Sequence, residues 1–317
     1  MVKSIKKKFS YLFKFICLYA YYIRKITFLK TNTDKTIIIC FDGVIAHGGF
    51  VDRIKGIISF YEVSKKLNYN FKINFIHPFE FSDFFLPNKY NWLLERKIRF
   101  NPFDTKILYL VDQFNFNPIE RVLKSNAKTY LVYCNIDHLK NIYPELNAEH
   151  LNEIWKSNFD FLFKKTDFLK NELNKLPSER KIVFHSRFTS LMGDFKDSSI
   201  KRISQKDKEE IIKYLVNKID EKSKQYKNLP IYVLSDSMIF LDYVKNNTPY
   251  KILEGIPKHV DVKNNKNDLI SHTKTLTDFF FISTSEKVYL LKEKRMYMSG
   301  YSKYAAIYGN KDFEVIE

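Results

Sequence analysis

The feature that most constrains this chain is an alternation. Short β-branched and aromatic runs are separated by longer stretches of helical periodicity. That is the pattern of parallel strands joined by crossover helices. Runs at 36–41, 71–76, 105–111 and 129–133 predict strands in the first half, with helices near 50–67 and 114–125. After a long helical region at 148–175, strands are expected at 181–185, 231–234, 250–253 and 287–291, with helices near 206–225, 268–282 and 301–308. The 317 residues exceed what a single core holds efficiently, so the chain reads as two α/β halves joined near 150–180. With 45% apolar and 28% charged residues it can bury a sizeable core, and 8 Gly and 9 Pro are too few for a Gly/Pro-punctuated all-β repeat.

The formal charge of +17 would suit nucleic acid or an anionic membrane, but it is unevenly placed. Residues 1–30 hold eight basic side chains and no acid, and no helix-turn-helix, zinc or RNA-binding signature accompanies the charge. On a helix, Lys3, Lys6, Lys7, Lys14, Arg24 and Lys25 fall within one sector of about 100°. Phe9, Leu12, Phe13, Ile16, Tyr19, Ala20 and Ile23 lie opposite. The longest uncharged apolar stretch is nine residues, well short of the ~20 that span a bilayer. Residues 1–31 are therefore expected to form a basic amphipathic helix lying on an anionic membrane surface, the alternative being a helix packed on the protein itself. Cys17, Cys40 and Cys134 have no metal-ligand spacing and form no disulfide framework, which points to a reducing, cytoplasmic setting.

Two facing α/β halves make a cleft, and ligands of open α/β sheets bind beyond the strands' carboxyl ends. Three such ends stand out. The first strand leads into Gly48 and Gly49, which open a helix carrying Asp52, Arg53 and Gly56. Paired glycines and a helix start suit an anion, or form an ordinary turn. The second is Lys-Ile-Val-Phe-His-Ser-Arg, where His185 and Arg187 are two apart and point the same way. An arginine there offers bidentate donors to a phosphate, unless it merely pairs with an acid such as Asp194. Third, Asp278 precedes the last strand of the pattern, and Ser299, Gly300, Tyr301 and Ser302 follow it at a loop-to-helix start that provides hydroxyls and backbone N–H groups, or simple caps.

Taken in order, GGFVDRIKGI, H-x-R and D…SGYS-x-x-A resemble the fucosyltransferase superfamily that uses GDP-fucose, over residues 36–310. The resemblance implies a GT-B-like fold: two Rossmann-like domains facing across a cleft, an acceptor-side domain at 35–175 and a donor domain at 178–317. It implies an inverting, metal-independent transfer of fucose to a glycan or lipid-linked oligosaccharide, with no cofactor beyond the donor substrate. By the same resemblance Arg187 meets the donor's β-phosphate, and His185 accompanies it. Asp278 contributes to guanine or ribose binding, Ser299, Tyr301 and Ser302 form the pyrophosphate-side loop with Gly300, and Gly48 and Gly49 lie beside the donor. The chain departs from the pattern at Asp52-Arg53, where some subfamilies have Asn, and at Phe188, where others have a second Arg. No Asp-x-Asp pair occurs. A base for the acceptor hydroxyl would come from the first half, where His47 and Asp52 are the candidates. The alternatives are a GT-B transferase of another nucleotide sugar and a nucleic-acid-binding protein.

Overall fold

The computed structural model describes residues 2–29, 33–195, 202–256, 258, 260 and 269–317, with side chains from Ser10 onward except at 270 and 271. The chain divides into two compact units, Met1–Lys164 and Lys165–Glu317.

The first unit runs α1 (Val2–Ile23), β1 (Thr36–Phe41), α2 (Phe50–Leu67), β2 (Asn70–Phe75), β3 (Phe85–Pro87), β4 (Thr105–Tyr109), α3 (Pro118–Leu123), β5 (Thr129–Tyr133), α4 (Leu139–Ile142), α5 (Ala148–Leu162) and β6 (Phe163–Lys165). Its main sheet is parallel, in the order β2-β1-β5-β4. The strand order reverses between β1 and β5, and strands covered on both faces explain their unbroken apolar sequences. On one face α2 lies so close that a methyl at Gly56 would stand 2.0 Å from the carbonyl oxygen of Cys134. On the other, Leu18 and Tyr22 of α1 are fully buried against Ile38, Cys40, Tyr109 and Tyr133.

That packing changes the reading of the amino-terminal helix. The alternative reading, a helix packed on the protein itself, holds for one side of α1. Tyr11, Phe15, Leu18 and Tyr22, spaced at helical intervals, face the sheet. Leu12, Phe13, Ile16 and Ile23 of the expected apolar face remain exposed. The side chains of Lys3, Lys6, Lys7 and Phe9 lie outside the described residues. Among the described residues, no helix is long and apolar enough to cross a membrane.

The second unit contains α6 (Asp167–Asn174), β7 (Ile182–Ser186), α7 (Gln205–Ser223), β8 (Ile231–Ser235), α8 (Met238–Asn247), β9 (Lys251–Ile252), α9 (Leu269–Ser283), β10 (Lys287–Leu291), α10 (Tyr301–Gly309) and β11 (Asp312–Ile316). Its five described strands are all parallel, in the order β11-β10-β7-β8-β9. Ile211 and Leu215 of α7 and Phe240 and Val244 of α8 fill one face, packing on Ile182, Phe184 and Val233. Phe281 of α9 meets Tyr232 on the other. The helical region expected at 148–175 is two helices interrupted by β6, which pairs with β3. The division at Lys164 also assigns α6 to the second unit, where it packs on α9, although the expected range 35–175 placed it in the first.

Candidate functional site

In the second unit the chain runs from β7 outward through β8 to β9, then returns to the other side of β7 for β10 and β11. The switch point therefore lies between β7 and β10, the place where open α/β sheets bind ligands. Ser186 is in register with both Ser235 and Leu291, so the next residue, Arg187, emerges at the shared carboxyl edge. Its side chain is 18% exposed, with Nε 3.3 Å from Oδ2 of Asp236 and the guanidinium 4.7 Å from the Phe195 ring centre.

Asp236 follows β8 and is the residue sequence reasoning missed. Its Oδ1 accepts from Phe188 N and its Oδ2 from Thr189 N, each at 2.8 Å. The carboxylate thus ties the loop after β7 to the end of β8, and Thr189 adopts a left-handed φ of 57° there. Burial raises the Asp236 carboxyl above its usual range, while Arg187 and the two backbone donors pull it back. The signal was present as Ser235-Asp236-Ser237 ending an apolar strand. The partner suggested for Arg187, Asp194, instead accepts from Ser237 Oγ and Ile239 N at the start of α8.

His185 sits beneath Arg187, and its buried Nδ1 has no hydrogen-bond partner among the described residues. Burial, followed by the charge of Arg187, lowers its pKa to about 3, so the imidazole is neutral near pH 7. Its ring centre is 5.4 Å from that of Tyr301, the first residue of α10. Tyr301 donates its hydroxyl to the Thr275 carbonyl. Burial and then the charge of Asp278 raise its pKa well above the usual value, with Arg187 opposing. Asp278 is buried and paired with Lys274; burial raises its carboxyl and Lys274 opposes. Ser299 Oγ accepts from Tyr301 N at 3.2 Å, so it acts as a local cap. Ser302 is fully buried, and its Oγ has no partner among the described residues. His185, Arg187, Asp278, Ser299, Gly300, Tyr301 and Ser302 thus gather around the β7–β10 edge, at a helix start capped only at Tyr301 N by Ser299. This arrangement offers a permanent cation and backbone donors to an anion.

The first unit has its own edge, at the β1–β5 reversal. Asp42 accepts from Tyr133 Oη at 2.7 Å and Val44 N at 3.1 Å. His47 is buried, its Nε2 accepts from Gly43 N at 3.0 Å, and burial followed by the nearby charges of Arg53 and His77 keeps its pKa well below the usual value. His47 is thus a neutral brace of the loop. Arg53 is also buried, donating from Nε to the Gly48 carbonyl at 3.1 Å and from Nη1 to the His77 carbonyl. Gly48 has φ of 82°, a conformation that favours glycine, and a side chain there would press on Asp52 and Asn135. Asp52 accepts from Gly49 N at 3.3 Å, pairs with Lys55 at 2.9 Å and remains 41% exposed. Of the two candidate bases, only Asp52 is open to solvent. Among the described residues, no three His, Cys, Asp or Glu side chains form a metal-binding group.

No protein-family model matches the sequence, and no curated protein matches it either. Solved structures do resemble it. The NodZ α-1,6-fucosyltransferase soaked with GDP-fucose is 12% identical with a TM-score of 0.55, over 87% of this chain and 92% of that one. An Arabidopsis thaliana FUT1 mutant in complex with GDP is 11% identical with a TM-score of 0.56, over 94% and 73%. The fucosyltransferase NodZ from Bradyrhizobium is 13% identical with a TM-score of 0.53, over 86% and 93%. At this identity the likeness establishes the fold: the chain has the two-unit α/β architecture of these fucosyltransferases, as the GT-B-like expectation held.

Proposed function

We propose that the chain is an inverting, metal-independent glycosyltransferase that moves fucose from GDP-fucose to a glycan or lipid-linked oligosaccharide. The observation that carries this reading is the meeting of Arg187 and the Ser299–Tyr301 helix start at the switch point of the second sheet, in a fold shared with a fucosyltransferase in complex with GDP and another soaked with GDP-fucose. The glycosidic bond to the diphosphate breaks with an oxocarbenium-like centre developing on the sugar, so negative charge grows on the departing oxygens. Arg187, held by Asp236, is the preorganised donor for that charge. The N–H groups of the first turn of α10 after Tyr301, whose own N–H is held by Ser299, add to it. Neutral His185 supports the wall below as a hydrogen-bonding group for the donor, and buried Asp278 is the acid for guanine or ribose.

Asp52 is the base we assign to the acceptor hydroxyl. Its solvent exposure carries that choice over His47, whose Nε2 is already occupied. The basic amino-terminal segment, with eight positive residues and no acid in 1–30, supports a protein held at the cytoplasmic face of a membrane, close to lipid-linked acceptors. The test is a panel of nucleotide sugars without acceptor, read by thermal shift and donor hydrolysis. GDP-fucose should protect and be hydrolysed in preference to UDP-sugars. Preference for a UDP-sugar would make the chain a transferase of a different sugar, and no response to any nucleotide would refute the reading.

A further inference from the structure

The exposed side of α1 continues into a second group of apolar residues. The backbone after the helix pairs with the segment before β4: Phe100 N donates to the Lys25 carbonyl at 3.0 Å and Thr27 N to the Phe100 carbonyl at 2.9 Å. Asn101 also donates from Nδ2 to the Leu29 carbonyl. This pairing places Phe28 and Phe103 together, ring centres 6.5 Å apart, with 74% and 85% of their surfaces exposed. Neither ring belongs to the core. Leu94 and Ile98, in the preceding loop, pack on the same cluster that receives Leu18 and Tyr22 of α1. That loop carries Arg96, Lys97 and Arg99 beside a single acid, Glu95, on its exposed positions, where they line a cavity of about 330 Å³ with Lys72 at the amino ends of β1, β2 and β5.

We propose that the first unit docks on an anionic phospholipid bilayer through this composite surface. The exposed side of α1 and the Phe28–Phe103 pair enter the interface, and Arg96, Lys97 and Arg99 meet the headgroup phosphates. The inference rests on the membrane association in the proposed function and specifies its surface. Charge selects the occupant. A second copy of the chain would bring an equally basic surface, whereas a surface rich in phosphate complements it. Because Leu18 and Tyr22 fix α1 in the core, the surface is part of the folded unit and its orientation is inherited by the whole first sheet.

The experiment is co-sedimentation of the full chain with vesicles of phosphatidylcholine alone and of phosphatidylcholine mixed with phosphatidylglycerol. The chain is expected to partition onto the mixed vesicles and not onto the neutral ones. The double variant Phe28→Asp, Phe103→Asp should bind at least about tenfold more weakly, since it withdraws two large apolar groups from the interface. Its unfolding midpoint should hold, because both rings lie outside the core. The triple variant Arg96→Ala, Lys97→Ala, Arg99→Ala should bind more weakly with a flatter salt dependence. If the chain sediments with neither vesicle, both the membrane association and this surface are wrong. If the Phe28→Asp, Phe103→Asp variant binds as tightly as the native chain, association stands and this surface is overturned. A dimer in solution that this variant dissolves, without vesicle binding, would make a second copy the occupant and also overturn the proposal.

Discussion

Replacing Asp236 by Asn keeps the shape of the side chain and removes its charge and one acceptor oxygen. In the native protein Oδ2 serves both Thr189 N and Arg187 Nε, and Oδ1 serves Phe188 N. The amide will keep its oxygen at the Oδ2 position, which retains two contacts and turns its NH₂ toward the buried Phe188 N–H. A buried donor left unsatisfied costs roughly 1–3 kcal/mol, and neutralising the remaining contacts removes about 1 kcal/mol more. Full burial would push the loss toward the ~3–5 kcal/mol of a broken buried ion pair, but Arg187 still reaches water and burial already disfavours the Asp236 charge. A loss of about 2–4 kcal/mol is therefore expected, measured by urea unfolding of the native protein and Asp236→Asn at pH 7. Donor hydrolysis should fall as well, since Arg187 loses the group that aims it. Stability within about 0.5 kcal/mol of native, the ordinary scatter of surface substitutions, would refute the role given to this carboxylate.

Three further outcomes follow from the same geometry. Gly56→Ala places a methyl 2.0 Å from the Cys134 carbonyl oxygen, so α2 must move off the sheet; a cost near 3 kcal/mol is expected in denaturant unfolding, despite the ~1 kcal/mol that Ala gains over Gly in a helix. His185, with a folded pKa of about 3, binds a proton in the unfolded chain before it does in the native one, so its contribution is fully present above the ordinary histidine pKa and is lost as pH falls toward 3. The decline for this one group should be shallow near pH 7 and steepen to about 1.4 kcal/mol per pH unit between roughly pH 5.5 and 4, and the slope should be shallower in His185→Gln. Asp52→Asn leaves an acceptor for Gly49 N but no base, so transfer to an acceptor should fall at least about a hundredfold while acceptor-free donor hydrolysis is retained.

The strands of both sheets were legible because fully buried parallel strands are written as uninterrupted apolar runs: 36–41 and 129–133 coincide with β1 and β5, and 287–291 with β10. β11 was not, because Asp312-Phe313-Glu314-Val315-Ile316 is an edge strand whose charges alternate with its apolar residues. Nor was α8, a short helix whose start is marked mainly by Ser237. At the site, His185 and Arg187 could be paired from their spacing on one strand. Their link to Asp236 could not, since it depends on β8 lying beside β7, which the chain order alone does not specify. The amphipathic pattern of α1 in the sequence is two-sided, basic against apolar. A third side, Tyr11, Phe15, Leu18 and Tyr22, was hidden because tyrosines and phenylalanines suit a core and an interface equally well.

The central claim is that Arg187 stabilises a departing diphosphate. Its most direct test is GDP-fucose turnover by the native protein and by Arg187→Ala, each checked to be folded at the assay temperature. The native chain should cleave GDP-fucose, and the substitution should lower kcat by a hundred- to a thousandfold, about 2.7–4 kcal/mol of lost charge stabilisation. An Arg187→Ala protein that is folded and turns over GDP-fucose at the native rate would contradict the account.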